Sequence, residues 1–201
     1  MRSMKSGHSQ PRYMWPWLWH FSPLWPLALW GPVAAGFIAW GVMRHPLPWP
    51  ATLGNAALGL LFWSFFEYLT HRFILHPHER FQKIDRFAYF AHGKHHDEPD
   101  HPMFALVPPL NAAMVIAPLL GIFWLTLPAP AFGTFTGAFL IGYLIYEYVH
   151  YAHHQANPQN RLGKYLRRHH LTHHAHGRAG NFGVSTPLWD FIFRTTLPKP
   201  R

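Results

Sequence analysis

Residues 131–154 read AFGTFTGAFLIGYLIYEYVHYAHH. The run 131–149 is apolar on every side and carries one acid, Glu147. About twenty such residues, rising 1.5 Å each, cross a hydrocarbon core of about 30 Å. A helix of a soluble bundle would show a polar stripe instead. His150, His153 and His154 stand at the end of the run, where a membrane helix would leave the bilayer. A span that delivers imidazoles to one membrane surface sets the reading of the whole chain.

Three further runs match it. Those at about 24–43 and 104–127 carry no charge, and the one at about 51–69 has Glu67 near its end. The links Met43–Pro50 and Leu127–Ala131 are short and proline-rich, as tight hairpins between antiparallel helices would be. Arg2, Lys5 and Arg12 precede the first run. Arg72, Arg80, Lys83, Arg86 and Lys94 follow the second, and Arg161, Lys164, Arg167, Arg168 and Arg178 follow the fourth. Only Arg44 lies in a hairpin. This bias puts both termini and the middle segment on the cytoplasmic side, which in a bacterium means the inner membrane. Trp15, Trp17, Trp19 and Phe21 suit an interfacial belt. No small-residue cleavage site follows the first run, so no cleavable leader is expected.

Composition agrees. Of 201 residues only 12% are charged, about half the usual ~25% of globular proteins. The net charge of +9 reads as topology and attraction to lipid headgroups, with no nucleic-acid partner. Absence of Cys excludes a disulfide framework, an iron–sulfur cluster, thiolate-bound haem and a thiol nucleophile.

Ten of the eighteen histidines, with His153 lying between two of them, fall into four compact groups beside the span ends: HRFILH (71–76), HGKHH (92–96), HYAHH (150–154) and HLTHH (170–174). Offsets of three and four put side chains on one helical face, so the second and fourth groups each present three imidazoles to one side. His71 and His76, five apart, differ by about 140° on a regular helix. Either the helix ends between them or they serve different ions. Neutral imidazole is the commonest side-chain metal ligand and suits Zn, Cu, Fe and Ni. Ten such groups fit two ions with about five each. Acids are scarce nearby, unlike a carboxylate-rich di-iron bundle. Glu67 and Glu147 sit one turn before His71 and His150, placed to accept a ring N–H of a bound imidazole and fix its orientation. A salt bridge between Glu67 and Arg72 is the plainer alternative. His8, His20, His45, His78, His101 and His176 read as surface or loop residues.

These four boxes, in this order, resemble those of the fatty acid hydroxylase/sterol desaturase superfamily, with the nearest likeness to the fatty acid 2-hydroxylase branch. HGKHHDEPDHPMFALVPP (92–109) and NFGVSTPLWDFIF (181–193) are similar to flanking stretches of that branch. The resemblance covers most of residues 60–195. It implies an all-α, integral membrane, four-helix transmembrane bundle with a cytosolic, helical, histidine-rich dimetal cap from 70–103 and 150–201, forming one domain over 1–201. It implies two iron ions, with zinc as an occupant of purified protein, and dioxygen as co-substrate. The reaction implied is hydroxylation of a fatty acyl lipid next to its carboxyl carbon. The implied ligands are His71, His76, His92, His95, His96, His150, His154, His170, His173 and His174, with His153 outside the set and Glu67, Glu147 and His153 behind it. Glu147 stands where Asp is usual, and His169 where Tyr is common, which leaves open whether His153 or His169 replaces a ligand. With about twenty residues before the first span, the electrons are expected from a separate donor protein.

Phe65, Phe66, Tyr68, Tyr143 and Tyr146 are candidates to line a lipid passage, or simply to face lipid. Gly177, Gly180 and Gly183 read as turn residues, and Trp189, Phe191 and Phe193 as an interfacial lid or anchor. The same scaffold would serve a sterol or carotenoid hydroxylase or a desaturase. A different class is a membrane metal-binding or transport protein. A transporter places its ligands near mid-bilayer, whereas these flank the span ends.

Overall fold

The computed structural model describes residues 22–76, 88–176 and 180–198. Among them every regular element is helical. The long helices are α1 (Trp25–Arg44), α2 (Trp49–Thr70), α4 (Pro109–Thr126), α5 (Ala129–Gln155) and α6 (Arg161–His176). Two π-helical turns, His71–Leu75 and Tyr89–Gly93, and the short helix α3 (Lys94–Asp97) lie between α2 and α4; α7 (Leu188–Ile192) closes the order. The interfacial belt at 15–21, His8, His20, His78, Gly177 and the basic residues of 1–21 and 77–87 lie outside the described residues.

The proline-rich links act as helix starts. α1, α2, α4 and α5 each carry Pro in the first turn, where its missing N–H costs no hydrogen bond and its fixed φ suits the helix. The third apolar run begins helix only at Pro109, because Pro108 and Pro109 break its first residues away. The fourth runs on through Gln155, beyond the length a bilayer needs, and so carries His150, His153 and His154 on the same rigid rod.

α1, α4 and α5 are long and apolar enough to cross a membrane. α2 matches them in length but not in hydropathy, since Asn55, Ser64 and Glu67 interrupt it. α5 is the central helix: 67% of its apolar window is buried, against 17% and 22% for α4 and α1. It packs along its length against α1 and α2, and α4 touches it more sparsely. Gly133 and Gly137 permit the close approach to α1. A Cβ added at Gly133 would meet Gly41 Cα at 2.6 Å. Trp63, Phe139 and Tyr143 fill the joint between α2 and α5, with ring centroids 5.1–5.3 Å apart.

Candidate metal centre

The end of α2 does not stop at His71 and does not stay regular. Its backbone widens into one π turn, closed by the His76 N–H on the His71 carbonyl at 3.1 Å. An i→i+5 turn brings residues five apart back to one side. The two rings lie 4.9 Å apart, centroid to centroid. Of the two alternatives the first holds: the helix ends at Leu75, before His76, and both rings join one group.

The rings of the four boxes converge in two adjoining groups. One ring nitrogen each from His71, His76, His92, His96 and His173 lie within 4.8 Å of one another, and so do those from His95, His150, His154, His170 and His174. The expectation that the second and fourth boxes each present three imidazoles to one side is corrected here. α3 and the π turn before it send His92 and His96 to the first group and His95 to the second, while α6 sends His173 to the first and His170 and His174 to the second. Rings at i and i+3 diverge enough to straddle the boundary between two adjacent sites.

Within each group the Nε2 atoms face one another. His71–His92 and His150–His95 stand at 2.9 Å, His96–His92 and His173–His76 at 3.0 Å. His154–His170 and His174–His170 follow at 2.9 and 3.0 Å. These contacts cannot all be hydrogen bonds. His71 Nδ1–H donates to the Phe182 carbonyl at 2.5 Å and His173 Nδ1–H to the Gly180 carbonyl at 2.8 Å. A neutral imidazole has one N–H, so both rings turn a bare lone pair inward. Burial, reinforced by neighbouring imidazoles, holds His92 and His170 well below the ordinary histidine range, and burial brings His173 down to about 4. The rings are therefore neutral at neutral pH, the form that ligates. Two nitrogens at right angles on an ion, each about 2.1 Å from it, stand about 3.0 Å apart. The residues fit a pair of cations.

The outer contacts differ from expectation. Glu67 does not reach the His71 ring; its Oε1 accepts the backbone N–H groups of Val184 and Ser185 at 2.7 and 2.9 Å, and its Oε2 the Ser185 hydroxyl. Nor does it pair with Arg72, which donates to the Tyr68 hydroxyl at 2.7 Å. Glu147 Oε2 accepts the Val107 N–H at 3.1 Å. Both acids thus clamp loops onto the helices through backbone N–H donors. His153 Nε2 donates to the Val184 carbonyl at 3.2 Å, and His169 Nε2 bonds Asp190 Oδ2 at 3.0 Å, so neither ring joins a group.

Asp190 went unnoticed in the sequence. It is the only acid after Glu147 and is fully buried. Its carboxylate accepts the Phe182 and Gly183 N–H groups at 2.9 and 2.7 Å and the Thr195 hydroxyl at 2.6 Å. Asn181, in the left-handed region at φ 56°, accepts the Leu197 N–H and donates to the His169 carbonyl. Together they aim the carbonyls of 180 and 182 at His173 and His71. A lone acid inside NFGVSTPLWDFIF was the signal available.

An apolar pocket, partly open, lies between α2, α4 and α5 and reaches His71. Phe66, Tyr143 and Tyr146 line it, whereas Phe65 packs on Trp189 and Tyr68 on Phe182 and Phe193. Trp189 Nε1–H donates to Ser64, fixing α7 against α2, and Phe191 remains exposed.

Residues 56–195 match the family model described as Fatty acid hydroxylase. Fatty acid 2-hydroxylase of Mus musculus is 35% identical over 158 residues, covering 76% of this chain and 42% of that protein. Dihydroceramide fatty acyl 2-hydroxylase of Arabidopsis thaliana is 31% identical over 202 residues, covering 95% and 83%. The chain spans 40–42% of the length of its mammalian relatives. A solved structure of full-length scs7p, with only the hydroxylase domain visible, has a TM-score of 0.84 over 92% of this chain and 70% of that chain at 23% identity, a likeness of fold.

Proposed function

This chain belongs to the fatty acid hydroxylase family, and from that premise we propose that it is a multi-pass membrane monooxygenase with two iron ions, hydroxylating a fatty acyl lipid beside its carboxyl carbon. The observation that carries the reading is the convergence of ten imidazoles in two groups, one of which touches an apolar pocket through His71. Five nitrogens per group exceed the four of a structural zinc site and suit a five- or six-coordinate first-row ion. When bound, a redox-active pair supplies the power to oxidise an unactivated C–H bond with dioxygen and two electrons from a separate donor protein.

The chain's own residues do the rest. Phe182 and Gly180 hold the protons of His71 and His173 on Nδ1, so that Nε2 stays available. The walls around Phe66, Val115 and Ile116 take the acyl chain and keep water from it. His71, at the pocket's edge, sets which carbon lies near the metals. α1, α2, α4 and α5 form the four spans, with the histidine-rich cap and both termini cytoplasmic, as the basic residues favour.

The test is expression with iron, reductant and a competent electron donor, followed by mass spectrometry of total lipids. An acyl lipid heavier by one oxygen, absent when His95 is replaced by Ala, is the expected result. A loss of two hydrogens would make it a desaturase. No change in any lipid would remove the enzyme reading.

A further inference from the structure

The two groups of imidazoles differ on their outer side. In the group of His71, His76, His92, His96 and His173, the backbone carbonyls of Phe182 and Gly180 take the Nδ1–H of His71 and His173. In the other group, Nδ1 of His95, His150 and His170 is buried and meets no partner. Among the described residues every orphaned imidazole nitrogen belongs to this second group. Glu147, one turn before His150, does not bond that ring.

An outer hydrogen bond fixes a ligand's tautomer, holds its aim and makes its inner nitrogen more basic. Its loss typically costs about 10–100-fold in metal affinity. A ring without one is held by packing alone, and it can carry its proton on Nε2, where it cannot ligate. From this asymmetry we infer that the centre binds its two ions unequally. The ion facing the 180–182 carbonyls is tight, and the ion of His95, His150, His154, His170 and His174 is loose and exchangeable. Asp190 is a positioning residue for the tight ion alone, because it fixes the Phe182 and Gly183 amides and so the carbonyls beside them. The inference rests on the dimetal reading of the centre and not on the reaction.

The experiment loads the full chain with zinc in detergent and titrates it with chelators of increasing strength, reading bound zinc per chain by elemental mass spectrometry. Two steps of one ion each are expected, separated by about tenfold or more in chelator strength. His174→Ala should keep only the resistant ion and His76→Ala only the labile one. Asp190→Asn, and the gentler Thr195→Val, should move the resistant step toward the labile one and leave the labile step where it was. A merely structural role for Asp190 would weaken both steps alike and overturn that assignment. Release of both ions in one step, or a resistant ion in His76→Ala, overturns the inference. A chain that takes up no zinc overturns it together with the dimetal reading. A protein that makes no hydroxylated lipid yet releases zinc in two steps upholds it while removing the hydroxylase reading.

Discussion

His154 faces His170 across the second group, whereas its neighbour His153 bonds the Val184 carbonyl. Nothing in HYAHH distinguishes the two, since adjacent histidines differ only in the helix face they occupy. Replacement separates them: His154→Ala should leave one bound ion per chain and His153→Ala two, by metal analysis of the zinc-loaded proteins. The buried rings also make the metal-free protein sensitive to acid. His173 lies at about 4 in the folded chain, against about 6.5 for a free histidine. Between these values the unfolded chain binds more protons, so stability rises with pH across the window. It is complete above about pH 6.5 and is lost as pH falls toward 4. Chelator-stripped protein should therefore show a melting temperature that drops steadily from pH 7 to pH 5. A flat profile would mean that water reaches the rings.

At the scale of elements, the long helices and the histidine boxes were legible because each obeys one strong constraint: bilayer thickness for the first, ligand chemistry for the second. The distribution of rings between the two groups was not. It depends on the divergence of rings three residues apart and on the π turns at His71–Leu75 and Tyr89–Gly93, and one inserted peptide unit leaves no mark in composition. Inserting one Ala after Ile74 should turn His76 about 100° further round, away from its partners, and reduce bound metal by one ion while α2 stays folded by circular dichroism. The roles of Glu67 and Glu147 were misjudged for a related reason. Their spacing from His71 and His150 is correct, but the loops at 184–185 and 107 offer competing amide donors from distant sequence. The tight α1–α5 contact, by contrast, follows from small residues. Gly133→Val should destabilise by several kcal/mol, beyond the ~1–3 kcal/mol of ordinary overpacking, because it drives a side chain into the Gly41 backbone. Gly121→Ala, which meets open space, should be neutral in the same detergent unfolding assay.

At the scale of the molecule, the proposed orientation can be read directly, since the chain has no cysteine of its own. A single cysteine at Asn157, between α5 and α6, should react with a membrane-impermeant maleimide only from the cytoplasmic face. One at Thr126, at the α4–α5 hairpin, should react only from the opposite face. Labelling of both from one side would undo the four-span bundle.

The order of parts along the chain has its own consequence. All ten rings lie between residues 71 and 174, but the carbonyls and carboxylate that aim two of them come from 180–195. During synthesis, then, every ligand emerges before the strap that tensions them. A nascent polypeptide paused after His174 should therefore hold its first cation no more firmly than its second.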